Sequence, residues 1–70
     1  MNIGKAIVAL RKEKNYSQEN LAYDSEISRH YMYKLENNLA SPTISMLEKI
    51  CKTLHIELSE LIHRAEDLTL

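Results

Sequence analysis

Hydrophobic residues recur along the chain at the three- and four-residue spacing of α-helices. Ile3, Ile7 and Leu10 form the first stripe, within residues 3–14, and Asn2 is its candidate N-cap. The C-terminal half has two more stripes, one preceded by Pro42 as a helix stop and Thr43 as a cap. Their inward positions are predicted to be Ile44, Leu47, Ile50, Cys51 and Leu54 in one helix, and Leu58, Leu61, Ile62, Ala65 and Leu68 in the next.

The central segment, QENLAYDSEISRHYMYKLEN at residues 18–37, predicts two short helices joined by a tight turn. The first runs from Gln18 to about Asp24 with Ser17 as its cap, and the second covers about residues 28–37 with Ser28 as its cap. Ile27 and Met32 have the spacing of a hydrophobic staple. Met32 and Leu35 point inward, which leaves a donor-rich outer face suited to nucleic acid: Arg29, His30, Tyr33, Lys34 and Asn37.

Composition indicates one small helical domain spanning residues 1–70. With one glycine, one proline, no Trp and no Phe, the loops must be short and the core aliphatic. The single cysteine forms no internal disulfide, and no secretion signal or long apolar run is present, so we expect a cytoplasmic protein without membrane contact.

The net charge of −1 argues against an extended basic surface. Residues 1–37 hold six Lys or Arg against five acids, whereas residues 38–70 hold three against five. Nucleic-acid binding must therefore depend on a local patch, and we expect two copies of it.

No arrangement of residues indicates an enzyme. Cys51 and His55 have metal-ligand spacing, with His63 two turns further on, but no second ligand pair completes a zinc site. A Cys/His nucleophile pair lacks an orienting acid, and there is no glycine-rich phosphate loop. We expect no metal, cofactor or small-molecule ligand.

Four segments resemble the helix-turn-helix domain of the Cro/C1 (XRE) repressor family. They are LRKEKNYSQENLA at 10–22, ISRHYMYKLEN at 27–37, SPTISMLEKICKTL at 41–54 and IELSELI at 56–62. Within that family, SRHYMYKLENN followed by SPTISMLEKI looks most like the small controller proteins of restriction-modification systems. The resemblance implies an all-α, compact, five-helix λ-repressor-like DNA-binding domain, with the helix-turn-helix formed by helices 2 and 3.

The same resemblance implies roles for individual residues. Base reading falls to Arg29, His30, Tyr33 and Lys34, and DNA-backbone contact falls to Gln18, Ser28, Tyr31, Asn37, Asn38 and Ser41. Independently of the family, Arg29 can make two parallel bonds to guanine O6 and N7. The family also pairs the matching arginine and glutamate, which predicts an Arg11–Glu36 ion pair. The alternatives are a solvated Arg11 and a simply exposed Gln18.

Two family positions usually held by glycine differ in this chain. Glu26 occupies the turn and Asn38 follows the recognition helix. If Glu26 is left-handed, it costs about 1 kcal/mol, whereas Asn15 and Asn38 tolerate that conformation better. Of the four tyrosines, Tyr23 is expected to be the structural one.

Two hypotheses follow. The first is a sequence-specific transcriptional regulator that binds a palindromic double-stranded DNA operator as a homodimer, of the controller or phage-repressor type. Its dimer surface is predicted on the C-terminal helix, at about residues 58–68, and the segment before it: Ile56, Leu58, Leu61, Ile62 and Leu68. The second is a protein-interaction module, such as an antitoxin-like partner.

Overall fold

A computed structural model describes residues 1–68, and its regular structure consists of five α-helices. They are α1 (Ile3–Glu13), α2 (Gln18–Asp24), α3 (Arg29–Glu36), α4 (Ile44–Leu54) and α5 (Leu58–Asp67). The predicted all-α fold with five helices is confirmed. No helix in the described part of the chain is long and apolar enough to cross a membrane.

Side-chain oxygens cap four of the five helix N-termini. Asn2 accepts from the Lys5 N–H at 2.9 Å, and Ser17, Ser28 and Thr43 make the equivalent bonds at 3.0 to 3.1 Å. Each bond satisfies one of the backbone donors that the first turn of a helix leaves unpaired. The N-cap residue of α5, Glu57, makes no such bond.

The first four helices end in the same way, with a non-glycine residue in the left-handed region. These residues are Asn15, Glu26, Asn38 and His55, with φ between 57° and 63°. Each donates its N–H to a carbonyl three residues back, and the following residue donates to one five residues back, as in a Schellman motif. The left-handed Glu26, Asn38 and Asn15 match the sequence prediction, while His55 adds a fourth such end.

The core is aliphatic and draws on all five helices. Helix α1 packs against both α3 and α5, and α2 packs against α3 and α4. The side chains buried almost completely include Ile7, Leu10, Leu21, Met32, Leu35, Ile50, Leu54 and Leu61. Helix α3 is therefore held on its inner face while its outer face remains open.

Three sequence predictions about burial are wrong. Leu61 was assigned both to the inward stripe of the C-terminal helix and to the dimer surface. The dimer assignment is wrong, because α5 packs that face onto α1 and Leu61 is fully buried in the core of its own chain. Ile44 was placed inward but is 59% exposed at the start of α4. Tyr23 was expected to be structural but is 83% exposed, since the inner face of α2 is filled by Leu21 and Ala22.

Candidate nucleic-acid interface

Helix α3 has a buried side and an exposed side. Met32, Leu35 and Glu36 are buried. The side chains predicted to read bases are all exposed, and we call them the reading face: Arg29, His30, Tyr33 and Lys34. The reading face contains two cationic side chains, one imidazole and one phenol, all of which can donate hydrogen bonds. None of its four side chains is acidic.

The residues predicted to touch the DNA backbone surround the reading face. Ser28 caps α3, and its hydroxyl oxygen accepts the Tyr31 N–H, which leaves its own hydrogen free to donate. Tyr31 is partly buried against the core, and its hydroxyl lies 3.5 Å from the Ser41 carbonyl oxygen. Exposed Asn37 donates from Nδ2 to the Tyr33 carbonyl at 2.9 Å.

Asn38 makes two hydrogen bonds that were not predicted from the sequence. Its Oδ1 accepts from the Gly4 N–H at 3.0 Å, and its Nδ2 donates to Asn2 Oδ1 at 2.8 Å. The side-chain amide thus joins the end of α3 to the start of α1. Only its second amide hydrogen remains for a phosphate.

A buried carboxylate connects α1, α2 and α3. Glu36 is 8% exposed and accepts from Arg11 Nε at 2.6 Å and Nη2 at 3.1 Å. Gln18 Nε2 donates to the same carboxylate at 2.9 Å. The predicted Arg11–Glu36 pair is therefore present, and the hydrogen bond that Arg11 donates to Glu36 raises the pKa of Arg11 above its ordinary value.

This network fixes Gln18 at the N-terminus of α2. The Arg11 guanidinium also donates from Nη1 to the Tyr16 carbonyl at 3.2 Å, which ties the connection between α1 and α2 to the same cluster. Gln18 is half-buried rather than simply exposed, and its amide is held by a residue of the recognition helix. These hydrogen bonds fix the position of the start of α2 relative to α3.

Two further polar contacts join helices around the interface, and neither was predicted from the sequence. Buried Ser25, at the end of α2, donates its hydroxyl to Thr53 Oγ1 of α4 at 3.0 Å. Arg64 of α5 donates to Glu13 of α1 at 2.6 Å. Both pairs are far apart in sequence, and each residue alone looks like an ordinary surface polar residue.

The single cysteine of the chain was considered as a metal ligand. Cys51 is a buried free thiol in α4, and burial raises its pKa to about 11. Within residues 1–68, no group of three or more His, Cys, Asp and Glu side chains is arranged to hold a metal ion.

The comparisons with known proteins agree with this geometry. A family model described as a helix-turn-helix domain matches residues 4–66. The transcriptional regulator SlrR of Bacillus subtilis is 40% identical over 60 residues, which are 84% of this chain and 40% of SlrR. The chain spans 40 to 60% of the length of the curated relatives that it matches.

The solved structures that resemble this chain include helix-turn-helix DNA-binding proteins. The crystal structure of the biofilm regulator SinR in complex with DNA superposes with a TM-score of 0.81 at 36% identity, covering 86% of this chain and 97% of that one. The chain belongs to the helix-turn-helix family, and its relatives are regulators of the Cro/C1 type. The restriction-modification controller C.AhdI from Aeromonas hydrophila is also similar, with a TM-score of 0.83 and 32% identity over 86% of this chain and 91% of that one.

Proposed function

We propose that this chain is a transcriptional regulator that binds double-stranded DNA in a sequence-specific manner. The observation that carries the proposal is the reading face on α3, where Arg29, His30, Tyr33 and Lys34 are exposed together while the opposite side of the helix is buried. The family match and the SinR–DNA complex support it.

The reading face has the size and chemistry for the major groove. That groove is about 12 Å wide and admits one α-helix, whose N-terminal half points at the base edges. Arg29 is the first residue of α3 and would bond guanine O6 and N7 through two N–H groups. Lys34 and His30 add single donors, and Tyr33 presents its ring and hydroxyl beside them.

Phosphate contacts would fix the helix in register. Gln18 at the start of α2 and Ser28 at the start of α3 lie where unpaired backbone N–H groups favour an anion. Tyr31, Asn37 and Ser41 would add further contacts to the phosphates. These contacts carry affinity, whereas the reading face carries specificity.

We also propose that two copies bind a palindromic operator. One eight-residue recognition helix reads few base pairs, so a symmetric dimer with half-sites about 34 Å apart supplies the missing specificity. The dimer surface would be formed by the partly exposed apolar residues on and before α5. Without Leu61, the predicted set is reduced to Ile56, Leu58, Ile62 and Leu68.

The narrower function that we propose is a controller or phage-type repressor, acting in the cytoplasm without a cofactor. The likeness to C.AhdI supports the controller assignment, and the likeness to SlrR supports regulation of transcription more generally.

Binding to a randomised DNA library at two salt concentrations tests the proposal. A dimeric regulator selects an inverted repeat with half-sites about one helical turn apart, and its affinity falls steeply with salt because cations on the protein release counterions from the DNA. Folded protein that enriches no sequence would contradict the proposal.

A protein-interaction module is the second candidate. It is favoured by the excess of acids in residues 38–70 and by the exposed apolar side chains of Leu39 and Ile44, which follow the recognition helix. A stoichiometric protein that co-purifies with the chain, together with an absence of salt-sensitive DNA binding, would identify this function instead.

A further inference from the structure

The start of α1 lies unusually close to the end of the recognition helix. A Cβ atom on Gly4 would lie 2.5 Å from the Glu36 carbonyl oxygen and 2.6 Å from that of Leu35. Real Cβ atoms essentially never approach other atoms so closely. The only glycine of the chain is thus required for close contact between two helix backbones.

Two asparagine side chains join the same two helices. Asn38 Oδ1 accepts the Gly4 N–H at 3.0 Å, and Asn38 Nδ2 donates to Asn2 Oδ1 at 2.8 Å. Asn2 Oδ1 also accepts the Lys5 N–H at 2.9 Å. We call this arrangement of Asn2, Gly4 and Asn38 the asparagine clasp.

The clasp extends to the C-terminal helix. The Asn2 backbone N–H donates to the Ala65 carbonyl oxygen of α5 at 2.9 Å. A continuous series of hydrogen bonds therefore runs from the end of α3 through Asn38 and Asn2 to α5. The first of these helices carries the reading face, and the last carries part of the proposed dimer surface.

We infer that Asn2 and Asn38 are positioning residues that fix the orientation of the reading face relative to α5, and thereby set the half-site spacing that a dimer accepts. This inference rests on the proposed function, in which two copies bind one inverted repeat. It assigns to the clasp a role in specificity without direct contact to a base.

A small rotation of the reading face relative to α5 is sufficient to change the preferred half-site spacing. With half-sites about 34 Å apart, each reading face is about 17 Å from the two-fold axis. A tilt of about 6° in each copy moves its reading face by about 1.7 Å, so the distance between the two faces changes by about 3.4 Å, the rise between successive base pairs. If the asparagine clasp limits the tilt of α3 relative to α5 to a few degrees, the dimer therefore discriminates between half-site spacings that differ by one base pair.

Asn38→Gly is the most informative substitution. Glycine accepts the left-handed backbone of residue 38 without strain, so the variant removes the side-chain bonds while the helix end is kept. Asn15→Gly is the matched control, because Asn15 has the same position at the end of α1 and lies outside the clasp. Asn2→Ala breaks the clasp from the other side, and Asn2→Asp retains an oxygen for both of its donors.

The DNA experiment measures affinity for inverted repeats at the preferred spacing and at spacings one base pair longer and shorter. The affinity at the preferred spacing, divided by the affinity at either altered spacing, is the spacing ratio. This ratio should fall by roughly threefold or more in Asn38→Gly and Asn2→Ala, as expected for the loss of about one hydrogen bond. Asn15→Gly and Asn2→Asp should keep the wild-type ratio. Equal loss of affinity at every spacing, or an unchanged ratio, overturns the inference.

A second measurement does not depend on DNA. Residual dipolar couplings of the backbone amides report the angle between α3 and α5 in the free, folded protein. We expect a changed or more widely distributed angle in Asn38→Gly and Asn2→Ala, but not in Asn15→Gly. An unchanged angle overturns the inference even if the proposed function holds, whereas wild-type protein that binds no DNA at all contradicts the proposed function first.

Discussion

Breaking the Arg11–Glu36 pair should strongly destabilise the fold. Glu36 is 8% exposed, and two of the three hydrogen bonds to its carboxylate come from Arg11. In Arg11→Met the carboxylate keeps only the Gln18 amide, and the Tyr16 carbonyl loses a donor. A buried charge is then left largely unpaired.

The expected loss is large relative to the stability of the domain. Removing one partner of a buried ion pair costs about 3–5 kcal/mol, and we take about 3 because the Arg11 side chain retains 13% exposure. At 0.05–0.15 kcal/mol per residue, a chain of 70 residues has a free energy of unfolding of about 4–10 kcal/mol. Arg11→Met should therefore remove roughly a third to three quarters of the free energy of unfolding.

Urea denaturation followed by far-ultraviolet circular dichroism measures the effect. Arg64→Met is a matched control, since it removes an equally short Arg–Glu pair between α1 and α5 that is exposed to solvent. Exposed pairs contribute little, so the midpoint of this control should barely move.

A double-mutant cycle gives the decisive comparison. Arg11→Met combined with Glu36→Met replaces the pair by apolar side chains and should recover most of the loss, because no buried charge remains. Equal midpoints for Arg11→Met and Arg64→Met, or no recovery in the double variant, would refute the reasoning.

Three further outcomes are expected. Gly4→Ala should lower the free energy of unfolding by about 1–3 kcal/mol through its clash with the carbonyls of α3, although alanine is the better helix former; unchanged urea stability would contradict this packing. Glu26→Gly should raise stability by about 0.5–1 kcal/mol because it relieves the left-handed backbone, and a lower melting temperature would contradict that reading. Burial raises the pKa of the Cys51 thiol from 9.0 to about 11, so its contribution to stability is complete below pH about 9 and is lost as the pH rises towards 11. Cys51→Val should lack this alkaline loss, and an identical loss in both proteins would contradict the assignment to Cys51.

The local features of the fold could be predicted from the sequence. Asn2, Ser17, Ser28 and Thr43 were identified as caps because short polar side chains before a helical stripe have few other roles. The Arg11–Glu36 pair followed from the family resemblance rather than from spacing, since the two residues are 25 positions apart. Short-range chemistry and a known motif together account for these predictions.

Packing between helices was harder to predict. A helical stripe shows which residues share a face, but the neighbouring helix determines how much of that face is covered. Leu61 and Ile44 both belong to apolar stripes, yet α5 buries Leu61 against the core while the first turn of α4 leaves Ile44 in solvent. The hydrogen bonds between Asn38 and the start of α1 were not predicted either, because its partners Asn2 and Gly4 lie more than 30 residues away along the chain.

The most direct test of the central claim compares wild type, Arg29→Ala and Arg29→Lys on the selected operator and on all its single base-pair variants. If Arg29 reads a guanine, Arg29→Ala loses about 1–3 kcal/mol of discrimination at one base pair in each half-site and keeps its preferences elsewhere. Arg29→Lys should retain most of the salt-dependent affinity but not that discrimination, because it keeps the charge and loses the paired donors. Loss of affinity by the same factor on every sequence would contradict the claim that the exposed face of α3 reads DNA bases.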